Sequence, residues 1–264
     1  MIEKLKCITG LALSLGSRDI KSRYKGSVFG WIWTLITPLL MLTVYTFIFG
    51  FVFKSRWGDN HLSSYDFSIN LFIGMLFFGF FSECFTRAPS TIYTNTNYVK
   101  KLVFKLEILP IANLLSALFH LFTGLVIWLL MVLLVSDVNI TVYKLLTLIV
   151  ILINFSMLTL GITYYLSSIG TFIKDINQVC MSTTTLILFL SPVFYDSKSL
   201  PAIISNVILL NPISYPILEI RNVFLNGQYI NMQEMLVYSF SSIFVFFTGV
   251  LFFSRIKKGF VDVV

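Results

Sequence analysis

The sequence predicts an all-α integral membrane protein with six transmembrane helices, forming a single transmembrane domain over residues 1–264. Three observations predict it. The chain is 57% hydrophobic and 12% charged; a soluble domain carries about a quarter charged residues, so too little polar side chain is present to cover a water-facing surface. Apolar runs of about 20 residues recur, each long enough to cross a hydrocarbon core. Lysine and arginine fall unevenly between those runs, as in chains sorted across a bilayer.

Residues 1–27 place Leu5, Ile8, Leu11, Leu15, Ile20 and Tyr24 at helical spacing, with Arg18, Lys21, Arg23 and Lys25 on other faces. Asp19 and Arg23 stand at i,i+4, a supporting pair on a helix. Such a helix suits the interface plane, bases toward anionic headgroups, before the chain turns inward at "GSVFG". The first long apolar run, 28–53, is far longer than the core of a cleavable signal and is expected to be retained as span one. Trp31 and Trp33 are its headgroup-level anchors.

Span two covers 68–87. The loop after it, "RAPSTIYTNTNYVKKLVFKLEILP", is basic, and Val99, Leu102, Val103 and Leu106 recur at spacings of 3 and 4. That pattern predicts a short amphipathic helix closed by Pro110. Spans three, four and five are expected at 111–135, 143–169 and 176–195. Residues 196–235 contain "LPAIISNVILLNP" and "YPILEIRNVFL". These segments are too short to span and predict re-entrant or interfacial helices. Backbone at membrane depth must be covered by protein or line a cavity, so the pair suggests a lid or gate. Span six covers 236–254, and 255–264 form a tail.

With the N-terminus in the cytoplasm, 14 lysines and arginines lie on that side and 5 on the other. This asymmetry accounts for the net charge of +7 without nucleic acid and places both termini in the cytoplasm. Cys7, Cys84 and Cys180 are odd in number, lack a CxxC pair and fall on the cytoplasmic side, so neither a disulfide framework nor a zinc site is expected.

No phosphate loop of the GxxxxGK[ST] kind is present, and no soluble stretch is long enough for an ATPase domain. No ionisable row crosses the spans; Glu83 is the one carboxylate well inside a predicted span, toward its cytoplasmic end. An ion-coupled carrier buries such groups near the midplane, so the energy source lies elsewhere. Asp59, His61, Asp66, Asp196, Glu219 and Glu234 are scattered without acid/base or metal spacing and read as solvated loop charges. The spans instead carry uncharged polarity at helical spacing: Thr34, Thr37, Met41 and Tyr45; Asn113, Ser116, His120 and Thr123; Gln178, Ser182, Thr185 and Phe189. Such faces serve helix packing or line a pore, and spans one and five are the pore candidates. His120 reads as a hydrogen-bonded interior residue.

"RDIKSRYKGSVFGWIWTLITPLL", followed by "TLILFLSPVFYDSKSLP" and "NPISYPILEIR", resembles the permease subunits of type-2 ABC exporters that move polysaccharides. Within them the match is greatest to the O-antigen exporter permeases, and capsule and teichoic-acid permeases share the signatures. The resemblance implies a homodimer in the bacterial inner membrane, each copy binding a separately encoded ATPase that holds ATP and magnesium, with no cofactor in this chain. It implies a coupling helix within 92–109, with Tyr98, Val99 and Lys101 as contacts. Arg18, Lys21, Arg23 and Lys25 would meet the pyrophosphate of an undecaprenyl-linked glycan. The outer gate at 200–225 would include Pro212, Tyr215 and Arg221. Spans one and five of two copies would line a channel with Trp33, Thr34, Thr37, Tyr45, Gln178, Ser182, Thr185, Phe189 and Tyr195, through which the sugar chain threads stepwise. Two other readings are a type-2 exporter of a small lipid or drug and a membrane glycan-modifying enzyme, the latter disfavoured by the missing acid/base constellation.

Overall fold

The computed structural model describes residues 2–48, 64–100, 104–135, 138–195 and 201–263. Helix α1 (Ile2–Tyr24) is followed by a turn in which Gly26 and Gly30 take φ of 87° and 51°, left-handed values that glycine adopts without a Cβ clash. A 3₁₀ turn at Gly30–Ile32 leads into α2 (Trp33–Tyr45). Next come α3 (Ser64–Arg87), the single turn α4 (Thr96–Val99), α5 (Ile108–Val135) and α6 (Val142–Phe172). Helices α7 (Ile176–Phe189), α8 (Ala202–Leu209), α9 (Ser214–Phe224), α10 (Met232–Ile256) and the turn α11 (Phe260–Val263) complete the described chain. No strand occurs among the described residues.

Among the described residues, five segments are long and apolar enough to cross a bilayer: Gly30–Ile48, Phe67–Arg87, Ile108–Leu134, Val142–Phe172 and Met232–Gly259. This is a multi-pass membrane protein. The span expected at 176–195 is shorter than the sequence suggested. Helix α7 has 14 residues, about 21 Å at the helical rise, against a hydrocarbon core of about 30 Å. It ends because Pro192 has no N–H to continue the ladder, and Ser191 and Val193 turn back on Leu188 and Ser191 instead. Residues 49–53, at the end of the expected first span, lie outside the described residues.

The core is built around α3. Phe72, Ile73, Phe77 and Phe81 are buried with Leu121, Leu125 and Trp128 of α5, Phe155 of α6 and Ile217 and Ile220 of α9. Phe77 stacks on Phe155 at 5.4 Å between centroids, and the indole N–H of Trp128 donates to Ile69 O at 3.0 Å. Helices α6 and α10 meet backbone to backbone: a Cβ on Gly249 would lie 2.5 Å from Gly161 O. Small residues permit this approach where no water is available to drive helices together. Burial of the Phe67–Arg87 span reaches 61%, whereas only 6% of Gly30–Ile48 is buried. The first span is therefore barely packed against the rest of the chain.

The basic segments gather at one end of the bundle. Arg18 of α1 bonds Tyr98, Lys257 pairs with Glu107, and Phe172 meets Phe260 at 5.8 Å. The opposite end holds α8, α9 and the start of α10, where Lys144 Nζ caps α9 by donating to Phe224 O at 3.2 Å. The two short helices expected in 196–235 are present as α8 and α9. Of the amphipathic helix expected to close at Pro110, residues 101–103 lie outside the described residues; on either side of them α4 is one turn, residues 104–107 are not helical, and Pro110 is the third residue of α5. Proline is accepted there because first-turn N–H groups have no intrahelical acceptor.

Candidate functional site

At the basic end, α1 lies along the first half of α5. Ala12 and Leu15 are buried there, and Gly16 lets the helices close, since a Cβ would sit 3.2 Å from Leu115 Cβ. Leu11, expected on the apolar face, is exposed; the side chains of Leu5, Ile8 and Cys7 lie outside the described residues. Beyond Gly16 the contact becomes ionic. Both Nη atoms of Arg87 donate to the Asp19 carboxylate at 2.8 Å. Arg23 pairs with Glu83, lies 3.6 Å from Asp19 and reaches His120 Nε2 at 3.2 Å. Glu83 also stands 3.4 Å from Arg87, one turn along α3. This junction fastens α1, α3 and α5 at one point. Burial works to raise the Asp19 pKa, but the hydrogen bonds and charge of Arg87, with Arg23 beyond, outweigh it and hold the carboxyl below its ordinary value.

The junction changes the reading of the four α1 bases. Arg23 is engaged with Glu83 and Asp19, so it fastens helices rather than standing among outward charges. Arg18 lies 5.4 Å from the Tyr98 ring centroid and donates to its hydroxyl. Lys21 and Lys25 are exposed. The part played by Arg87 was not read from the sequence, although its i,i+4 spacing from Glu83 was a usable signal.

Above the junction a cleft of about 340 Å³ opens between α2, α3 and α5. Trp33, Thr34 and Thr37 line one wall, Phe72, Met75 and Phe80 the other, and Arg23, Glu83 and His120 its foot. Thr34 is buried and donates to Trp31 O at 2.7 Å, so its hydroxyl is satisfied within its own turn. At the far end of α2, Tyr45 meets Phe194 at 6.0 Å, Phe189 lies 6.2 Å from the same ring, and Tyr195 Oη donates to Phe189 O at 2.9 Å. The predicted aromatics Tyr45, Phe189 and Tyr195 are thus brought together around Phe194, while Trp33 stands apart near the junction.

The three polar faces have different fates. That of α5 is used internally: Asn113 Nδ2 donates to Thr91 Oγ1 at 2.6 Å, Ser116 is fully buried, and Thr123 bonds His120 O at 2.9 Å. The face of α7 is open. Gln178, Ser182, Thr185 and Phe189 are all exposed along one line, while Cys180 is buried. On α2, Thr34 turns inward and Thr37 is exposed.

The 88–100 turn is seated on the bundle. Thr91 Oγ1 donates to Arg87 O at 3.0 Å, Asn95 Nδ2 to Thr91 O at 2.9 Å, and a Cβ on Gly170 would lie 2.5 Å from Pro89 Cα. Val99, expected as a contact for a soluble partner, is buried with Leu15, Ile92 and Ile108, so it fixes the turn from beneath. Tyr98 remains half-exposed above it, and Lys101 lies outside the described residues.

At the opposite end Arg221 is a clamp. It is 3% exposed and donates to Asn70 O at 2.7 and 3.1 Å, to Val193 O at 3.1 Å and to Pro192 O. Gly74 makes room for it, since a Cβ there would lie 2.7 Å from Nη2. Pro212 O accepts from Tyr238 Oη at 3.0 Å, and Tyr215 stacks on Tyr238 at 4.5 Å. Pro212, Tyr215 and Arg221 therefore tie α9 to α3, α10 and the turn after α7.

The profile of the family described as "ABC-2 type transporter" matches residues 11–225. This chain belongs to that family. As an ABC-2 permease it is a transport subunit rather than an enzyme, and the family implies an ATPase as a separate partner. The ABC-2 chain is 24% identical over 253 residues to an "O-antigen export system permease protein RfbA" of Klebsiella pneumoniae, covering 96% of this chain and 94% of the relative. A protein of the same name from Myxococcus xanthus is 26% identical over 200 residues, covering 76% of this chain and 74% of the relative.

Proposed function

We propose that this ABC-2 permease is the channel subunit of an ATP-driven exporter that moves an undecaprenyl-diphosphate-linked polysaccharide, O-antigen, across the bacterial inner membrane. The open polar line on α7 carries this reading. Polar side chains on a membrane helix, uncovered by their own subunit, belong against a water-filled path or a partner protein. The line holds an amide, hydroxyls and a ring, and no charge, with Tyr45 and Tyr195 beside its Phe189 end. Such a surface suits a neutral sugar chain, whose C–H faces pack on rings while its hydroxyls exchange weak bonds. A second copy, contributing its own α2 and α7, would close the channel, and a polymer of indefinite length would thread through it stepwise. The relatives' names favour O-antigen within the polysaccharide class.

In this reading the end carrying α1 faces the cytoplasm, which the lysine and arginine count favours, and both termini lie there. Arg18, Lys21 and Lys25 would meet the lipid pyrophosphate, arginine by paired hydrogen bonds and lysine as a point charge, with Arg23 holding their helix in place. The separate ATPase, carrying ATP and magnesium, would dock on the 92–109 region through Tyr98 and Lys101. The α8–α9 pair would form the outer gate.

Tryptophan at Ser182 or Thr185 should block the path. Expressed in cells lacking the native gene, either variant should insert normally yet leave lipid-linked glycan inside, whereas Leu236→Trp on exposed α10 should export normally. Undiminished export by both α7 variants would sink the channel assignment.

A further inference from the structure

A second cleft, of about 680 Å³, lies between the α8–α9 turn and the first turns of α10. It is at the far end from the charged junction, beside the α8–α9 pair proposed as the outer gate, and no residue of the α7 line is among those lining it. Its polar lining includes Asn211, Tyr215, Gln233, Glu234 and Tyr238. A smaller aliphatic half is made by Leu158, Leu209, Leu210 and Val237. Leu209, Leu210 and Val237 are exposed, and on α10 they are continued by exposed Leu236 and Phe240. The aliphatic half thus opens onto the face of α10 that meets hydrocarbon.

The charge of the cleft selects its ligand. No lysine or arginine is among the residues lining it. Asn231 caps α10, its Oδ1 accepting from Gln233 N at 3.1 Å, and its Nδ2 donates to Glu234 Oε1 at 2.8 Å, which holds that carboxylate in the first turn. The Glu234 carboxylate in that first turn opposes an anionic headgroup. Behind it, Glu219 accepts from Asn231 N at 2.9 Å, which adds a second carboxylate to the same corner. Tyr215 and Tyr238 form the wall beside these groups. Carboxylate and aromatic surface together favour a cationic group, and the aliphatic wall favours acyl chain. A glycan would leave that wall unmatched.

We propose that this cleft binds one phospholipid with an ammonium headgroup, of the phosphatidylethanolamine kind. The ammonium sits against Glu234 beside the tyrosine pair, the phosphate faces Gln233 and water, and an acyl chain follows Leu209, Leu210 and Val237. Bound there, the lipid bridges α8 and α10 and steadies the segment that carries Pro212 and Tyr215.

The test uses the full chain reconstituted in equal palmitoyl-oleoyl phosphatidylethanolamine and phosphatidylglycerol, then extracted gently and weighed by native mass spectrometry. One phosphatidylethanolamine should be retained in preference to phosphatidylglycerol. Glu234→Gln, which keeps the acceptor for Asn231, should melt like the parent but lose retention by about tenfold, the change a charge-assisted hydrogen bond carries. Val237→Trp, which fills the cleft from an exposed position, should lose it as well. Equal or greater retention of phosphatidylglycerol, no retained lipid, or unchanged retention in both variants would overturn the proposal. So would displacement of phosphatidylethanolamine by maltohexaose, which would make the cleft a glycan site.

Discussion

Asp19 receives both Nη atoms of Arg87 while Arg23, one helical turn on, reaches Glu83, so two carboxylates and two guanidiniums fasten α1 to α3, and His120 beside Arg23 brings in α5. Because its folded pKa is depressed, Asp19 contributes stability that is fully present above its unfolded value of about 4 and is lost as pH falls below that through the folded pKa. The melting difference between the parent and Asp19→Asn should therefore be constant from about pH 8 to 5 and shrink below about pH 4. A difference that instead grew on acidification would contradict the assigned pairing. Arg221 makes a sharper case. Lysine in its place cannot span Asn70 O, Pro192 O and Val193 O together, and an abandoned buried acceptor costs about 1–3 kcal/mol. Arg221→Lys should lower the melting temperature in detergent by roughly 5 °C or more, read by fluorescence-detected size exclusion. The sequence made Arg221 conspicuous as part of "YPILEIR" but could not say that it turns inward. Only the fold brings Asn70, far away in sequence, beneath it. Likewise Asp19 and Arg23 were legible as a pair on one helix, whereas Glu83 looked solitary because Arg23 reaches it from another helix and the spacing to Arg87 on its own helix went unread.

Elements were most legible where length and hydropathy decide them. The cores of spans two, three, four and six appear at the expected positions, and the helices extend a few residues beyond them. Elements were least legible where a single residue resets the backbone. Pro192 cuts α7 short, and Pro110 opens α5 where it was expected to close the preceding helix. Periodicity cannot separate these outcomes, because proline both ends helices and begins them. Nor does composition reveal which glycines are structural. Gly161 and Gly249 stand opposite each other on α6 and α10, and a Cβ on Gly249 would approach the Gly161 carbonyl to 2.5 Å. That neighbour is backbone and cannot rotate away, so Gly249→Ala should push the helices apart at a cost of about 1–3 kcal/mol. Gly79, where a Cβ meets nothing within 4 Å, should accept alanine without loss. Thermal melts of the two variants side by side would check both; equal stability would show that the α6–α10 crossing is looser than the structure indicates.

At the scale of the molecule, burial is lopsided in a way one subunit does not explain. Helix α3 is enclosed, yet α2 is almost bare and α7 exposes both its polar line and apolar neighbours such as Val179 and Leu186. A helix meeting only lipid would carry aliphatic side chains on that side; Gln178, Ser182 and Thr185 are costly there unless water or protein faces them. Helix α10, by contrast, exposes Leu236, Val237, Phe240 and Phe244, side chains suited to a hydrocarbon neighbour. The contrast predicts that the α7 side, not the α10 side, meets a second copy. In native membranes, Ser182→Cys and Thr185→Cys chains treated with a short bis-maleimide should shift from 30.2 kDa to a dimer, while Leu236→Cys should not. All of these chains carry Cys7→Ser, and Cys84 and Cys180 are buried, so the introduced thiol is the one read. Crosslinking at Leu236 alone would place the partner on the opposite face and leave the α7 line in search of another occupant. No crosslink at any site, together with a monomer mass in mild detergent, would remove the two-copy channel and with it the path proposed for the glycan.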